Sequence, residues 1–381
     1  MELNKNEFKN AVARISAAIP KKSIVQNLCN VLFESKDGVV RLTGSDSNHI
    51  CYTEFKVESN ENVSFTVNCE KLKKAVAMRG DKLTISYCNE PNEKITVSNG
   101  VTTVDLDCLP VADYPAFNKP NATHTRKVSA KKLMDIVNKV KFSASADSAR
   151  KALTGVYVGF TADEMRVFCT DGKRVAYGSE PCAELIENSE FGFNLPMKSV
   201  EIINNLNTTA TQNEDKTWNE PEVVINYSGT TVEFIQEGFS TVSKLIDALP
   251  PVDAVLGMII GGTVFKEATC SFKANTNEMT GIVKFINSLS AVDSAIKLSK
   301  NENKLKFEVN GANQEIKDEM EIEIVKEGEM KVCCNVGYLL DPLVNFGAEN
   351  VTFEFGGDHV CPFFIISGNL KYLLMPLRNN A

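Results

Sequence analysis

With 381 residues, the chain is long enough for two or three domains of about 100–200 residues each. Its 43% hydrophobic and 24% charged residues match an average soluble globular protein and exclude disordered and fibrous classes. A net charge of −8 argues against a nucleic-acid partner unless the basic residues are segregated onto one face.

The N-terminal MELNKNEFKN lacks the basic-then-apolar pattern of a signal peptide, and no apolar run of about 18 residues follows, so a cytoplasmic location is expected. The first predicted helix is NEFKNAVARISAAI at 6–19, with Phe8, Val12, Ile15 and Ile19 at spacings of three and four. A strand then runs into a second apolar helix in FTVNCEKLKKAVAM (65–78), and alternating strands such as KLTISY follow. The same order returns twice. SAKKLMDIVNKVKF (129–142) places Leu133, Ile136, Val137 and Val140 on one side, ahead of FNLPMKSVEIINNL (193–206) and EVVINYSGTTVEFI. NEMTGIVKFINSL (277–289) places Met279, Ile282, Val283, Ile286 and Leu289 together, ahead of VCCNVGYLLDPLVNF (332–346) and NVTFEFG. Asn99-Gly100, Ser228-Gly229 and Gly356-Gly357 mark turns. Such threefold recurrence is an internal repeat, with breaks expected at the polar NKPNATHTRK (118–127) and near 248–264, where ALPPVDAVLGMIIGG combines two prolines with three glycines.

Eleven cysteines without a C-x-x-C pair, and three scattered histidines, point to reduced structural thiols and give a zinc site little support. Charge is uneven: helix 70–79 carries Lys71, Lys73, Lys74 and Arg79 against Glu70, and helix 130–141 carries Lys131, Lys132, Lys139 and Lys141 against Asp135. Each balances at +3 in an acidic chain. Solvated helix faces often hold lysines, so repetition over two segments is what gives this pattern weight.

Four segments are similar to motifs of the bacterial β sliding clamp, the β subunit of DNA polymerase III: LTGSD (42–46), DYP (113–115), FCTDGKRVA (168–176) and MPLR (375–378). The specific part is T-D-G-x-R in mid-chain joined with M-P-x-R at the end; either alone is weak. The resemblance spans the chain and implies an α+β DNA-clamp fold of three repeated domains, at 1–121, 122–250 and 251–381. Each would line a hole with two helices and carry antiparallel sheets outside, and two copies would close head to tail. Closure would also remove the open sheet edges that otherwise invite aggregation.

The function implied is that of a non-catalytic processivity factor that slides on duplex DNA, with no cofactor and no metal. Implied partners are double-stranded DNA without sequence preference, a second copy of the chain, the DNA polymerase III alpha subunit, the clamp loader and other proteins with a clamp-binding motif; no membrane is involved. Lysines facing the hole would attract phosphates through counterion exchange rather than base reading. The candidates are Lys71, Lys73, Lys74, Arg79, Lys131, Lys132, Lys139, Lys141 and Lys198; Lys22 stands where the family commonly has an arginine near DNA, and Arg150 opens another loop.

For the peptide pocket the resemblance implies Leu153, Thr170, Gly172, Lys173, Arg174 and Val175, then Pro251 and Val255 from the linker. Val360, Leu373, Leu374, Met375, Pro376, Leu377 and Arg378 complete it. Leu and Met suit an adaptable apolar groove, and Arg174 and Arg378 would position backbone or acidic groups at its rim. For the T-D-G segment alone, a plain strand-end turn would explain the same residues. Strand 101–109, with Val104 and Leu106, and the helix residues Ile286 and Leu289 are the implied dimer contacts; ordinary core positions would read the same way.

Three departures bear on peptide choice rather than fold. Lys173 stands where many clamps have histidine, the linker DALPPVDAVLG lacks the family's arginine-rich stretch, and Asn379, Asn380 and Ala381 extend past the final arginine. A clamp-like paralogue that scaffolds proteins without supporting the main polymerase is the alternative function. An enzyme would need a nucleophile, metal or phosphate motif, and no G-x-x-x-x-G-K-[ST], H-E-x-x-H or G-x-S-x-G occurs. A single-strand binder would interleave aromatic with basic residues, whereas Trp218 sits in the acidic TQNEDKTWNE.

Overall fold

The structure is a computed structural model and describes residues 1–90, 92–115, 121–182, 190–212, 218–289, 294–310, 315–357 and 359–378. The C-terminal Asn379, Asn380 and Ala381 lie outside the described residues. Seven α-helices occur among those described: α1 (Lys5–Ser16), α2 (Cys69–Val76), α3 (Ala130–Val140), α4 (Met197–Ile203), α5 (Val252–Ile259), α6 (Thr276–Leu289) and α7 (Val336–Asn345). Six of them start where a strand stops, with no loop between. A helix so placed must satisfy its first amide groups locally, and a polar residue ending the strand does this. Asn68 accepts from Lys71 N at 3.1 Å, Ser129 from Lys132 N at 3.3 Å, Asn275 from Glu278 N at 3.0 Å and Asn335 from Tyr338 N at 2.9 Å. Asn4 caps α1 in the same way, accepting from both Asn6 N and Glu7 N. The apolar stripes face inward: α1 buries Phe8, Val12 and Ile15, and α6 buries Met279, Val283 and Ile286.

The chain forms two compact units, one built from Met1–Met134 with Lys198–Leu245, the other mainly from Asp135 to Cys182 and from Ile246 onward. In the first unit twelve strands form one sheet, in the order Glu2–Asn4, Lys82–Cys88, Lys94–Ser98, Thr103–Leu109, Val63–Asn68, Asn30–Lys36, Val39–Ser45, His49–Lys56, Phe239–Lys244, Thr231–Gln236, Glu222–Tyr227 and His124–Ser129. The seam is the antiparallel pairing of His49–Lys56 with Phe239–Lys244, from Thr53 opposite Phe239 to His49 opposite Ser243. His49 anchors it: Nδ1 lies 3.0 Å from both Asp46 carboxylate oxygens and Nε2 lies 3.1 Å from Ser199 Oγ. Burial alone would raise the Asp46 carboxyl, but the hydrogen bond and charge of His49 outweigh it and hold that group below its ordinary range.

In the second unit nine strands run in the order Phe191–Pro196, Gly155–Phe160, Glu164–Thr170, Arg174–Pro181, Leu370–Leu374, Phe363–Ser367, Asn350–Phe355, Cys270–Asn275 and Glu323–Lys326. Its seam pairs Arg174–Pro181 with Leu370–Leu374, from Arg174 opposite Leu374 to Gly178 opposite Leu370. A separate sheet orders Glu315–Glu321, Lys304–Asn310, Ala295–Asn301 and Lys331–Asn335. Each unit thus joins strands that lie in different sequence repeats, which is why compactness does not follow the repeat boundaries.

Of the strand edges open among the described residues, two carry runs of acidic residues. Thr103–Leu109 pairs with Lys94–Ser98 from Thr103 to Asp107, but meets Val63–Asn68 only at Cys108 and Leu109. Glu315–Glu321 is an outermost strand. Both edges are acidic: Asp105 and Asp107 on the first, and Glu315, Asp318, Glu319 and Glu321 against Lys317 on the second.

The expected break at 248–264 contains α5, with Pro251 just ahead of it and Gly261-Gly262 just behind. Proline before the first turn and glycine after the last, here Gly262 at φ +66°, are also helix boundary signals. Between them Val255 and Ile259, four apart, bury against Phe168, Val175, Tyr177, Phe364 and Leu373. Full burial of such side chains stabilises by about 1.5–3 kcal/mol each, enough to hold a helix of two turns in place. The eleven cysteines are free thiols, and burial pushes Cys69 up to about 11 and Cys51 up to about 12, out of the reactive range; Cys88 is exposed.

Candidate functional site

The T-D-G segment is the turn between Glu164–Thr170 and Arg174–Pro181 in the second unit. Thr170 Oγ1 donates to Arg174 O at 2.7 Å and accepts from Gly172 N at 3.1 Å. Asp171 Oδ1 accepts from Lys173 N at 2.8 Å and Arg174 N at 3.2 Å, while Oδ2 accepts from Arg174 Nε at 2.9 Å. Gly172 sits at φ +88°, where an L side chain is strained, and an added Cβ would also lie 3.3 Å from the Arg150 guanidinium.

Arg174 is placed inside the turn rather than at a rim, at 8% exposure. Besides Asp171 it donates to Asp341 on α7 and, through the second terminal nitrogen, to Phe142 O at 3.1 Å. Its guanidinium lies 4.1 Å over the Tyr338 ring. Tyr372 is buried beside it; burial pushes that phenol well above its ordinary value, and Arg174 opposes the shift. Arg150, expected near DNA, donates to Asp171 O at 2.7 Å and to Asp147 at 3.0 Å. The Ala149 amide and Arg150 hold the Asp147 carboxyl below its ordinary value. Both arginines therefore brace the turn. Asp341, Tyr338 and Phe142 lie too far away in sequence for spacing to reveal them.

The C-terminal strand is stitched to the turn by Met375 N donating to Lys173 O at 3.0 Å, and Leu377 N donates to Cys333 O at 2.7 Å. Of the expected apolar lining, Val175, Val255, Leu373 and Leu374 are buried, the first three in one cluster with α5. Val360, Met375 and Leu377 are exposed, as are Lys173, Pro251 and Arg378; Leu153 and Pro376 are half-buried. Exposed Met375 follows the strand stitched to the turn, and α5 packs on Val175 and Leu373 beside it.

In the first unit, Lys22 and Lys71 line one cleft together with Lys21, Gln26 and Asn68. Lys74, Arg79, Lys131 and Lys132 are exposed, Lys73 pairs with Glu70 at 3.0 Å, and Lys198 pairs with Glu201 at 3.1 Å. In the second unit, Lys139 and Lys141 are half-buried, and Lys141 donates to Asn138 at 2.6 Å. Among the expected dimer contacts, Val104 is half-buried and Leu106 buried. Ile286 is fully buried on the inner face of α6, whereas Leu289 is 48% exposed. Phe285, 56% exposed and four residues before Leu289, is offset from the Met279–Val283–Ile286 stripe and shares the outer face of α6 with Leu289.

Comparison with known families matches residues 1–118 to the N-terminal domain, and 127–251 to the central domain, of the DNA polymerase III beta subunit. The chain belongs to the DNA polymerase III beta subunit family. The beta sliding clamp of Rickettsia bellii is 29% identical over 244 residues, covering 63% of this chain and 62% of that protein. That of Lactococcus lactis is 24% identical over 403 residues and covers 99% of both. The chain therefore spans 62% of the Rickettsia bellii protein and 60% of the Rickettsia felis one in those alignments. Among solved structures, the DNA polymerase III subunit beta of Pseudomonas aeruginosa superposes with a TM-score of 0.86 at 21% identity over 100% of both chains. The same organism's sliding clamp bound to griselimycin gives a TM-score of 0.87 at 20% identity, covering 100% of this chain and 99% of that one. These likenesses show the α+β clamp fold of the family.

Proposed function

We propose that this chain is a cytoplasmic sliding clamp: a non-catalytic processivity factor of the replicative polymerase, three domains long (1–121, 122–250, 251–381), whose two copies close head to tail around duplex DNA. Family membership carries the reading. Capped helix pairs recurring along the chain, and an open strand edge in each unit, support it. Val104 and Leu106 sit on one such edge; Phe285 and Leu289 supply exposed apolar contacts, while Ile286 stays in its own core. The exposed lysines serve as mobile phosphate contacts, and Lys22 and Lys71 line one cleft in the first unit. Arg174 and Arg150 act by fixing the turn. The strip of Lys173, Val360, Met375 and Leu377 is the entry point for the linear motifs of the polymerase alpha subunit, the clamp loader and repair proteins. Helix α5 over Val175 and Leu373 favours a second reading, a scaffold paralogue with altered motif choice.

Topology rather than affinity would give residence on DNA. Loaded onto nicked circles and passed through a gel-filtration column, the protein is expected to stay with the DNA and to be lost after linearisation. Equal retention on circles and linear DNA would break the ring reading. Retention on circles without processivity for a purified polymerase core would select the scaffold.

A further inference from the structure

Two thiols meet at one end of the first unit's sheet. The ladder between Asn30–Lys36 and Val63–Asn68 ends at Asn30 opposite Asn68, so Cys29 and Cys69 are the next residue on each side. Residues facing each other across an antiparallel pair carry Cβ atoms about 4.5–5.5 Å apart, close to the 3.5–4.5 Å of a disulfide. Asn30 Nδ2 donates to Asn27 Oδ1 at 3.2 Å and to Thr66 Oγ1 at 3.3 Å, which ties the turn before Cys29 to the strand that leads into Cys69. A third thiol, Cys108, stands one strand further, opposite Val67.

The two thiols differ in what reaches them. Cys69 opens α2 at 2% exposure, while Cys29 closes the 3-10 turn Gln26–Cys29 and is half-buried. Cys29 lines the cleft of about 520 Å³ that also holds Lys21, Lys22, Lys71 and Cys108. Burial is the main cause of the raised Cys69 thiol; Lys73 opposes it, and Glu70 and Cys29 add to it. Charge on Cys29 is thus felt at Cys69, in keeping with their place at the ladder end. The banks of the cleft belong to the same two segments. Lys21 and Lys22 precede the turn that ends at Cys29, and Lys71 lies two residues beyond Cys69.

We propose that Cys29 and Cys69 are a redox pair, closed to a disulfide by a small hydroperoxide that enters the lysine cleft. The Cys29 sulfur attacks the terminal oxygen of the hydroperoxide and the O–O bond breaks. An alcohol or water leaves with the Cys29 proton, and Cys29 becomes a sulfenic acid. The Cys69 sulfur then attacks the Cys29 sulfur. The S–S bond forms, the S–O bond breaks, and the hydroxyl departs as water with the Cys69 proton. Two thiols have lost two electrons, and the hydroperoxide has gained them. Cys69 acts second because burial keeps the oxidant from it, and nearness offsets its weak acidity. Reversible bonds of this kind are the ones that reduced compartments use for sensing. The bond ties the Lys21–Lys22 segment to the first turn of α2 and fixes the width of the cleft. It stands whether or not the chain encircles DNA.

The test uses the full chain carrying Cys88→Ser, which removes the exposed thiol, treated with hydrogen peroxide, then denatured and alkylated. Two thiols per chain are expected to be lost and to return with dithiothreitol, and a non-reducing peptide map should join 29 to 69. The bond closes a loop of about 40 residues, so the oxidised chain should melt about 5–10 °C higher, with slower amide exchange at 21–29. Cys69→Ser should stop at a dimedone-reactive sulfenic acid on Cys29, and Cys29→Ser should leave Cys69 reduced. The second variant changes a half-buried residue and keeps the test decisive if Cys69→Ser fails to fold. No loss of thiols, a bond from Cys29 to Cys108, Cys29 driven to the sulfinic acid alone, or Cys69 oxidised in Cys29→Ser would overturn the proposal.

Discussion

Arg174→Ala is expected to lower the melting temperature by roughly 10 °C, more than any other single truncation at the T-D-G turn. Removing one partner of a buried, hydrogen-bonded charge pair costs about 3–5 kcal/mol, because the remaining charge is left without compensation. Asp171 would be that charge: its side chain is 11% exposed, with one oxygen committed to Arg174 Nε. At about 2–4 °C per kcal/mol for units of this size, the loss becomes the stated shift. Asp341, at 38% side-chain exposure, adds little because water screens it. The stacking on Tyr338 adds a smaller amount. Arg174→Lys should recover only part, since one ammonium cannot reach Asp171, Asp341 and Phe142 O in their fork geometry. Differential scanning calorimetry decides it; a drop of under about 2 °C would mean that the turn holds without the arginine.

The second large effect concerns assembly. Phe285→Asp combined with Leu289→Asp is expected to leave a folded monomer in sedimentation velocity at concentrations where the parent is a dimer. Both side chains are about half exposed within the described unit, so folding should be spared. If they are buried in the partner contact, losing two apolar anchors costs at least about 3 kcal/mol, a hundredfold or more in dimer affinity. The doubly substituted chain should also fail to stay on nicked circles. An unchanged dimer would place the contact elsewhere and remove α6 from it. Ile286→Asp is not an equivalent test, because that residue is core and its variant should unfold.

Much of this was legible before any coordinates. Strand-then-helix recurrence is written in asparagines that end a strand and cap a helix, as at Asn68, Asn275 and Asn335, and the 3.6-residue stripes of α1 and α6 mark their buried faces. Pairing across sequence repeats was not legible, because strand alternation says which face is buried and nothing about which distant strand lies alongside. Helix α5 is not legible as a helix, because proline and glycine punctuate both loops and helix ends, and only packing on Phe168 and Leu373 separates the two cases. The role of Arg174 was hidden for a similar reason. An arginine beside Asp and Gly looks like a rim cation until Asp341 and Tyr338, more than 160 residues onward, close over it.

The two acidic open edges have a consequence for how such a ring would respond to its solvent. If Thr103–Leu109 of one copy meets Glu315–Glu321 of another, Asp105, Glu315 and Glu319 are already paired with Lys94, Lys317 and Lys304, but Asp107 faces Asp318 and Glu321 across the joint, and each added increment of salt relieves that repulsion over a Debye length of about 10 Å at 0.1 M. The lysine contacts with phosphate respond in the opposite sense, weakening as salt rises. Closure and grip are then antagonistic functions of one variable. Dimer affinity should climb with ionic strength while electrostatic drag on the duplex falls, so that the most durable ring is also the one that slides most freely.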